Sequence, residues 1–251
     1  MPMKKIRLDE MLVLRGLVPT LEKARALILA KAVRVSDDYP DKAGFLVGTE
    51  AEIHLKRDDN PYVSRGGLKL RGALAEFNLE VTDRIAFDVG ASTGGFTDCL
   101  LQAGVRKVYA LDVGYGQLAW KLREDPRVIT IERTNIRYYD GADFAESPDI
   151  AVIDVSFISL KSVLPAVLKL LAAEATMLAL IKPQFEAGRQ EVGRHGVVKD
   201  IQVRQRVVEE IVSFCKSAGL QVAGTCASPL LGPEGNQEFF IFARKTAFHG
   251  D

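Results

Sequence analysis

Two short amphipathic stripes open the chain, and a series of buried apolar runs follows. Over residues 7–16, Leu8, Met11, Leu12 and Arg15 recur at helical spacing while Asp9 and Glu10 face away. Pro19 interrupts this pattern, and Thr20 stands where an N-cap would start a second helix. That helix carries Leu21, Ala24, Leu27 and Ile28 on one stripe, with Lys23, Arg25 and Lys31 on its other faces. Val33-Arg34-Val35 and residues 52–56 alternate as short strands on either side of a turn-rich stretch with Pro40 and Gly44. The sequence RDDNPYVSRGG, polar and broken by an Asn-Pro step, predicts a linker. The expected division is a module over residues 1–59, a linker over 60–65 and a larger domain over 66–251.

In the larger domain, apolar runs over residues 84–89, 107–111, 128–131, 150–154 and 175–181 predict strands. Helical patterns over 95–103, 116–123 and 160–171 separate them, and a longer amphipathic helix after Asp200 carries Val207, Val208, Ile211, Val212 and Cys215 on one face. Runs over 220–224 and 238–243 close the chain. Alternation of this kind predicts an α/β fold with a mostly parallel, doubly wound sheet of the Rossmann-like type, preceded by a small α+β domain. Ligands in such sheets bind beyond the carboxyl ends of the strands, where the strand order reverses.

Composition narrows the class. The 251 residues are 47% hydrophobic and 26% charged, which excludes a disordered or fibrous chain. Three cysteines without a CxxC pair imply neither a disulfide framework nor a cysteine-type zinc site, and no metal is expected. The segment MPMKKIRLDEM has charges but no apolar core, so a secretory signal is not expected. The apolar stretch 163–181 is interrupted by Pro165, Lys169 and Glu174, so no membrane span is expected and the cytoplasm is the expected compartment. Charge is balanced at 33 basic and 33 acidic residues, but residues 1–36 hold eight Lys or Arg against three acids. Lys4, Arg7, Arg15, Lys23 and Arg25 from this segment, with Arg65 and Arg71 further on, are the expected contacts to an anionic partner. A solvated helix face is the other reading of the same charges.

The strongest chemical signal is Asp88-Val89-Gly90-Ala91-Ser92-Thr93-Gly94-Gly95-Phe96, a strand running through a glycine turn into a helix. Its spacing departs from the dinucleotide fingerprint, and an acid at the strand end is a poor host for pyrophosphate. It suits a donor with cationic groups, such as S-adenosyl-L-methionine; a turn serving packing alone is the alternative. Asp112, about 20 positions after the turn, ends the next strand where a carboxylate can meet ribose hydroxyls. Asn135 either touches an adenine edge or caps a turn. Asp154-Val155-Ser156-Phe157 ends in an aromatic residue but lacks the proline of base-holding loops in exocyclic-amine methyltransferases. Lys182 ends an apolar strand, where burial would make it less basic and able to take a proton. Glu238 begins the last strand, and Lys69 lies on the first helix of the domain.

Lys69, Asp154, Lys182 and Glu238 match in order the Lys-Asp-Lys-Glu tetrad of FtsJ-type ribose 2′-O-methyltransferases. SRGGLKL, FDVGASTGGFTDCLL, LDVGYGQL, IDVSFISL, LIKPQFE and GPEGNQEFF together resemble the TlyA (hemolysin A) family of ribosomal RNA methyltransferases. The first module resembles the ribosomal-protein S-four type of RNA-binding domain. The resemblance spans nearly the whole chain. It implies methylation of a cytidine ribose 2′-hydroxyl in ribosomal RNA of the large subunit, and in some members also of the small. It further implies S-adenosyl-L-methionine at the glycine turn, Asp112, Asn135 and Asp154, the tetrad as catalytic group, and ribosomal RNA or subunits as partner. Better-known members carry Arg-x-Trp-Val in the linker, and RDDNPYVSRGG has no tryptophan. The rival readings are a membrane-lytic protein, a nicotinamide oxidoreductase and an RNA-binding assembly factor without methyl transfer. Vesicle leakage, thermal shifts with either cofactor and single-turnover methylation separate them.

Overall fold

Thr20 caps the second helix as its position predicts, its hydroxyl accepting a hydrogen bond from Lys23 N at 3.2 Å. The structure is a computed structural model that describes residues 5–55 and 60–247. It divides into two units, residues 1–59 and 60–251. The first runs β1 (Lys5–Arg7), α1 (Leu8–Leu14), α2 (Leu21–Leu29), β2 (Val33–Val35), β3 (Leu46–Gly48) and β4 (Ile53–Leu55). Leu8, Met11 and Leu12 of α1 and Ala24 and Ile28 of α2 form its core with Val33, Val47 and Ile53. The expected strands pair antiparallel as β2 and β4. The antiparallel pair β1–β3 has no counterpart among the expected elements.

The second unit runs α3 (Arg65–Glu76), β5 (Ile85–Val89), α4 (Gly95–Gln102), β6 (Lys107–Leu111), α5 (Trp120–Arg123), β7 (Val128–Ile131), β8 (Ile150–Ile153), α6 (Leu160–Leu170), β9 (Ala175–Ile181), α7 (Pro183–Glu186), α8 (Ile201–Ser217), β10 (Gln221–Ala227) and β11 (Phe239–Lys245). Its seven strands lie in the order β10-β11-β9-β8-β5-β6-β7. The five from β9 to β7 are parallel, while β11 pairs antiparallel with both β9 and β10. The chain builds outward from β5 through β6 to β7, then from β8 to β9 on the other side, so the order reverses between β5 and β8.

Alternation within the strands makes two apolar layers. Phe87, Val89 and Tyr109 pack with Val163 of α6 and Ile211 of α8. Ala86, Val108 and Val152 pack with Leu70 of α3 and Leu100 of α4. The helix expected over residues 116–123 is confined to α5, since Gly116 adopts φ +70° and cannot continue a helix. The expected linker also differs from expectation where it is described. Val63 N donates to Asp98 Oδ2 at 2.8 Å, Ser64 caps α3, and Arg65 is already helical. Residues 60–65 are therefore built into the second unit.

Candidate functional site

β5 ends at Val89, and Gly90 turns the chain off the sheet with φ +89°. A Cβ at Gly90 would lie 2.5 Å from the Asp154 carbonyl oxygen, so glycine is what lets the ends of β5 and β8 approach this closely. Ser92 N donates to one Asp112 oxygen at 2.8 Å and Gly114 N to the other at 2.7 Å, which fixes that carboxylate just past β6. Three cavities meet at this edge. One of about 490 Å³ is lined by Gly90, Ser92, Asp112 and Asn135. A second of about 450 Å³ is lined by Ala91, Thr93, Gly95 and Phe96, with Ser64 and Arg65 across from them. A third of about 440 Å³ is lined by Lys69, Lys182, Glu238, Phe157 and Phe185. Asp154 and Ser156 line all three.

The four residues of the expected tetrad form two ion pairs. Lys182 follows β9 and Asp154 follows the adjacent parallel strand β8, so both project at the same edge. Lys182 Nζ lies 2.6 Å from Asp154 Oδ1 and donates to Ser156 Oγ at 2.9 Å. Glu238 reaches this edge because β11 runs antiparallel to β9, with Phe239 opposite Ile181. Its Oε2 accepts from Lys69 Nζ at 2.6 Å, and both partners are buried. Lys69 and Lys182 both line the second and third cavities. Each amine is paired with a carboxylate.

Other expected donor contacts divide by burial. Gly90, Ala91, Ser92, Thr93, Gly95, Phe96, Asp112, Asn135 and Asp154 line the first two cavities. Asn135 lines the first of these cavities, and its Oδ1 accepts from Arg137 N at 3.1 Å, capping the turn after β7. Gly94 lies behind the turn in the left-handed conformation that starts α4. Asp88 also lies behind it, fully buried, accepting from Thr97 Oγ1 at 2.6 Å, with Oδ1 unpartnered. It supports the turn from inside and lines none of the three cavities.

Burial pushes the Asp88 carboxyl up from 3.8 to about 7. An acid whose folded pKa lies above its unfolded one costs stability as pH rises between the two values. The full cost is on the order of 4 kcal/mol. Asp88→Asn is therefore expected to melt progressively higher than the parent between pH 4 and 7, with a constant gap above pH 8. Parallel melting curves across that range would refute the assignment.

The basic residues of the first unit are partly engaged. Arg7 and Arg25 both bond the buried Asp9 carboxylate, at 2.8 and 3.0 Å, and Arg7 foremost holds that carboxyl down at about 2. Arg15 donates to the carbonyls of Thr49 and Ala51. All three remain on the surface, as does Lys23, while Lys4 lies outside the described residues. Arg71 lies over the Tyr62 ring, 6.0 Å from its centroid. Ser64 and Ser156 escape a sequence reading that looks for charges. The signals for them were a serine before a helical run and a second polar residue two positions past Asp154.

A glycine turn, an acid after the second strand and paired amines at a reversal of strand order define a Rossmann-like methyltransferase domain. The family of FtsJ-like methyltransferases matches residues 62–245. YqxC of Bacillus subtilis (strain 168) is 49% identical over 242 residues, covering 96% of this chain and 86% of that protein. The 16S/23S rRNA (cytidine-2′-O)-methyltransferase TlyA of Mycobacterium tuberculosis (strain ATCC 25618 / H37Rv) is 43% identical over 242 residues, covering 96% and 90%. A solved structure from Streptococcus thermophilus, named for a hemolysin, superposes with a TM-score of 0.76 at 46% identity, covering 97% and 90%. The chain belongs to the FtsJ-like methyltransferases, among the TlyA and hemolysin A proteins.

Proposed function

We propose that this chain is an S-adenosyl-L-methionine-dependent methyltransferase that modifies the 2′-hydroxyl of a cytidine ribose in ribosomal RNA. The observation that carries the reading is the meeting of three cavities at Asp154 and Ser156, with Lys182 and Lys69 each held by a carboxylate there. The first cavity suits adenosine, with Asp112 for the ribose hydroxyls and Asn135 for the base edge. The second suits the amino-acid end, between the glycine turn and the start of α3, and the third suits the acceptor ribose. When bound, S-adenosyl-L-methionine supplies an electrophilic methyl carbon.

A ribose hydroxyl is a weak nucleophile and must lose its proton as its oxygen attacks. Lys182, oriented by Asp154 and Ser156, aims that oxygen and, as the neutral amine, takes the hydroxyl proton. Lys69, held by Glu238, supplies the cation that stabilises the charge growing on the oxygen. Because attack must be in line, fixed placement of these groups supplies much of the rate.

The first unit acts as an RNA-binding domain of the ribosomal-protein S-four type, with its surface cations on phosphates. A ribosomal substrate puts the activity in the cytoplasm; among the described residues no helix is long and apolar enough to cross a membrane. Incubating ribosomal subunits with the chain and S-adenosyl-L-methionine tests the proposal. New reverse-transcription stops at a cytidine, seen at low nucleotide concentration, are expected. Unchanged RNA from both subunits would overturn it.

A further inference from the structure

Asn236 is 2% exposed, and its side chain is fully engaged in an unusual place. Its Nδ2 donates to Gly196 O at 2.8 Å, and its Oδ1 accepts from Val198 N at 2.9 Å. Only this orientation of the amide matches donor to acceptor at both contacts. Its own carbonyl accepts from Gly232 N at 2.8 Å, closing the turn before β11. One side chain therefore fastens the segment 193–198 to the turn 232–236.

Both fastened pieces line the third cavity. Gly196 comes from the segment, with Val192 just ahead of it, and Pro233, Glu234 and Asn236 itself come from the turn; they share the cavity with Lys69 and Lys182. The turn also packs against the tetrad: a Cβ at Gly232 would lie 2.6 Å from Glu238 Oε1. Val198 is buried and seals the far end of the segment. The cavity that holds Asp112 and Asn135 has no lining residue from either piece, and of the two pieces only Pro233 reaches the cavity beside the glycine turn. The glycine- and arginine-rich stretch 186–199 has the composition of a free surface loop, yet its second half is tied down by buried hydrogen bonds.

We propose that Asn236 is a positioning residue that preassembles the wall against which the acceptor nucleotide is held, so that the segment 193–198 is a standing part of the acceptor site. This rests on the methyltransferase reading of the same site. The residue acts through the wall and through the turn that seats Glu238, and it lines neither cavity assigned to the donor.

The experiment uses the full chain, ribosomal subunits and two variants, Asn236→Ala and Asn236→Asp. Alanine removes both contacts, whereas aspartate keeps the acceptor for Val198 N and sets a carboxylate against Gly196 O. Turnover is expected to fall roughly tenfold or more in both, through loss of fixed placement. Donor affinity is expected to stay within about twofold of the parent, because misplacing an acceptor leaves donor binding intact. Native-state trypsin cleavage after Arg194, which needs no activity, is expected to accelerate in both. Parental turnover or parental cleavage in the alanine variant would overturn the proposal. Loss of donor affinity in both variants would also overturn it, since the residue would then serve the donor site or the fold at large. If the parent itself transfers no methyl group, the methyltransferase reading fails, and the cleavage rates still report on the wall.

Discussion

Lys182→Ala is expected to lower methyl transfer to ribosomal RNA by about 10²–10⁴-fold, the range for removing a group that handles a proton in the transition state. The amine is held from two sides, by Asp154 at 2.6 Å and Ser156 at 2.9 Å, and it opens onto the cavity assigned to the acceptor. The adenosine cavity does not include it, while the cavity assigned to the donor's amino-acid end does, so donor affinity should fall far less than transfer. Single-turnover transfer together with donor titration makes the check. Parental transfer in the variant, or transfer lost only in proportion to donor affinity, would remove Lys182 from the chemistry. Arginine at 182 should not rescue, because a guanidinium does not give up its proton near neutral pH.

The second large effect is on stability. Glu238 is 1% exposed and Lys69 7%, and each is the other's ion-pair partner. Removing one member of a buried pair leaves an uncompensated charge, so Glu238→Ala is expected to lower the unfolding free energy by about 3–5 kcal/mol. Glu238→Gln keeps an acceptor for the ammonium and should lose less. The double change Lys69→Met with Glu238→Leu should recover most of the stability, since apolar replacement of a buried pair is often neutral. It should not recover methyl transfer. Denaturant titration of the four proteins decides this, and a Glu238→Ala protein as stable as the parent would show that the pair is not buried in solution.

The two ion pairs differ in how readable they were. Asp154 and Lys182 each follow an apolar run, and in a parallel sheet the ends of such runs share an edge, so periodicity alone brings them together. Glu238 starts its strand. In a parallel sheet it would lie at the opposite edge, and only the antiparallel direction of β11 brings it to Lys69. Apolar periodicity carries no strand direction, so a reading of the runs that puts Glu238 at the same edge as Asp154 and Lys182 does not follow from the pattern, and its pairing with Lys69 is visible only in the fold. Asp88 shows the reverse problem. An acid at a strand end reads the same whether it faces a ligand or the interior, and here Thr97 and the packing behind the turn draw it inside. The stretch over 60–65 looked like a linker from its polar and proline content, but Tyr62 and Val63 are apolar enough to dock it on α4. Asn236 falls inside the motif GPEGNQEFF, but its contacts are not legible there, because they depend on a segment about 40 residues away that only the fold brings near.

The chemical identity of the product is the most direct test. RNA from ribosomal subunits treated with the chain and isotope-labelled S-adenosyl-L-methionine would be digested to nucleosides and the labelled species identified. Paired amines facing an acceptor cavity predict label in 2′-O-methylcytidine. Label in a base-methylated nucleoside would contradict the sugar-oxygen chemistry.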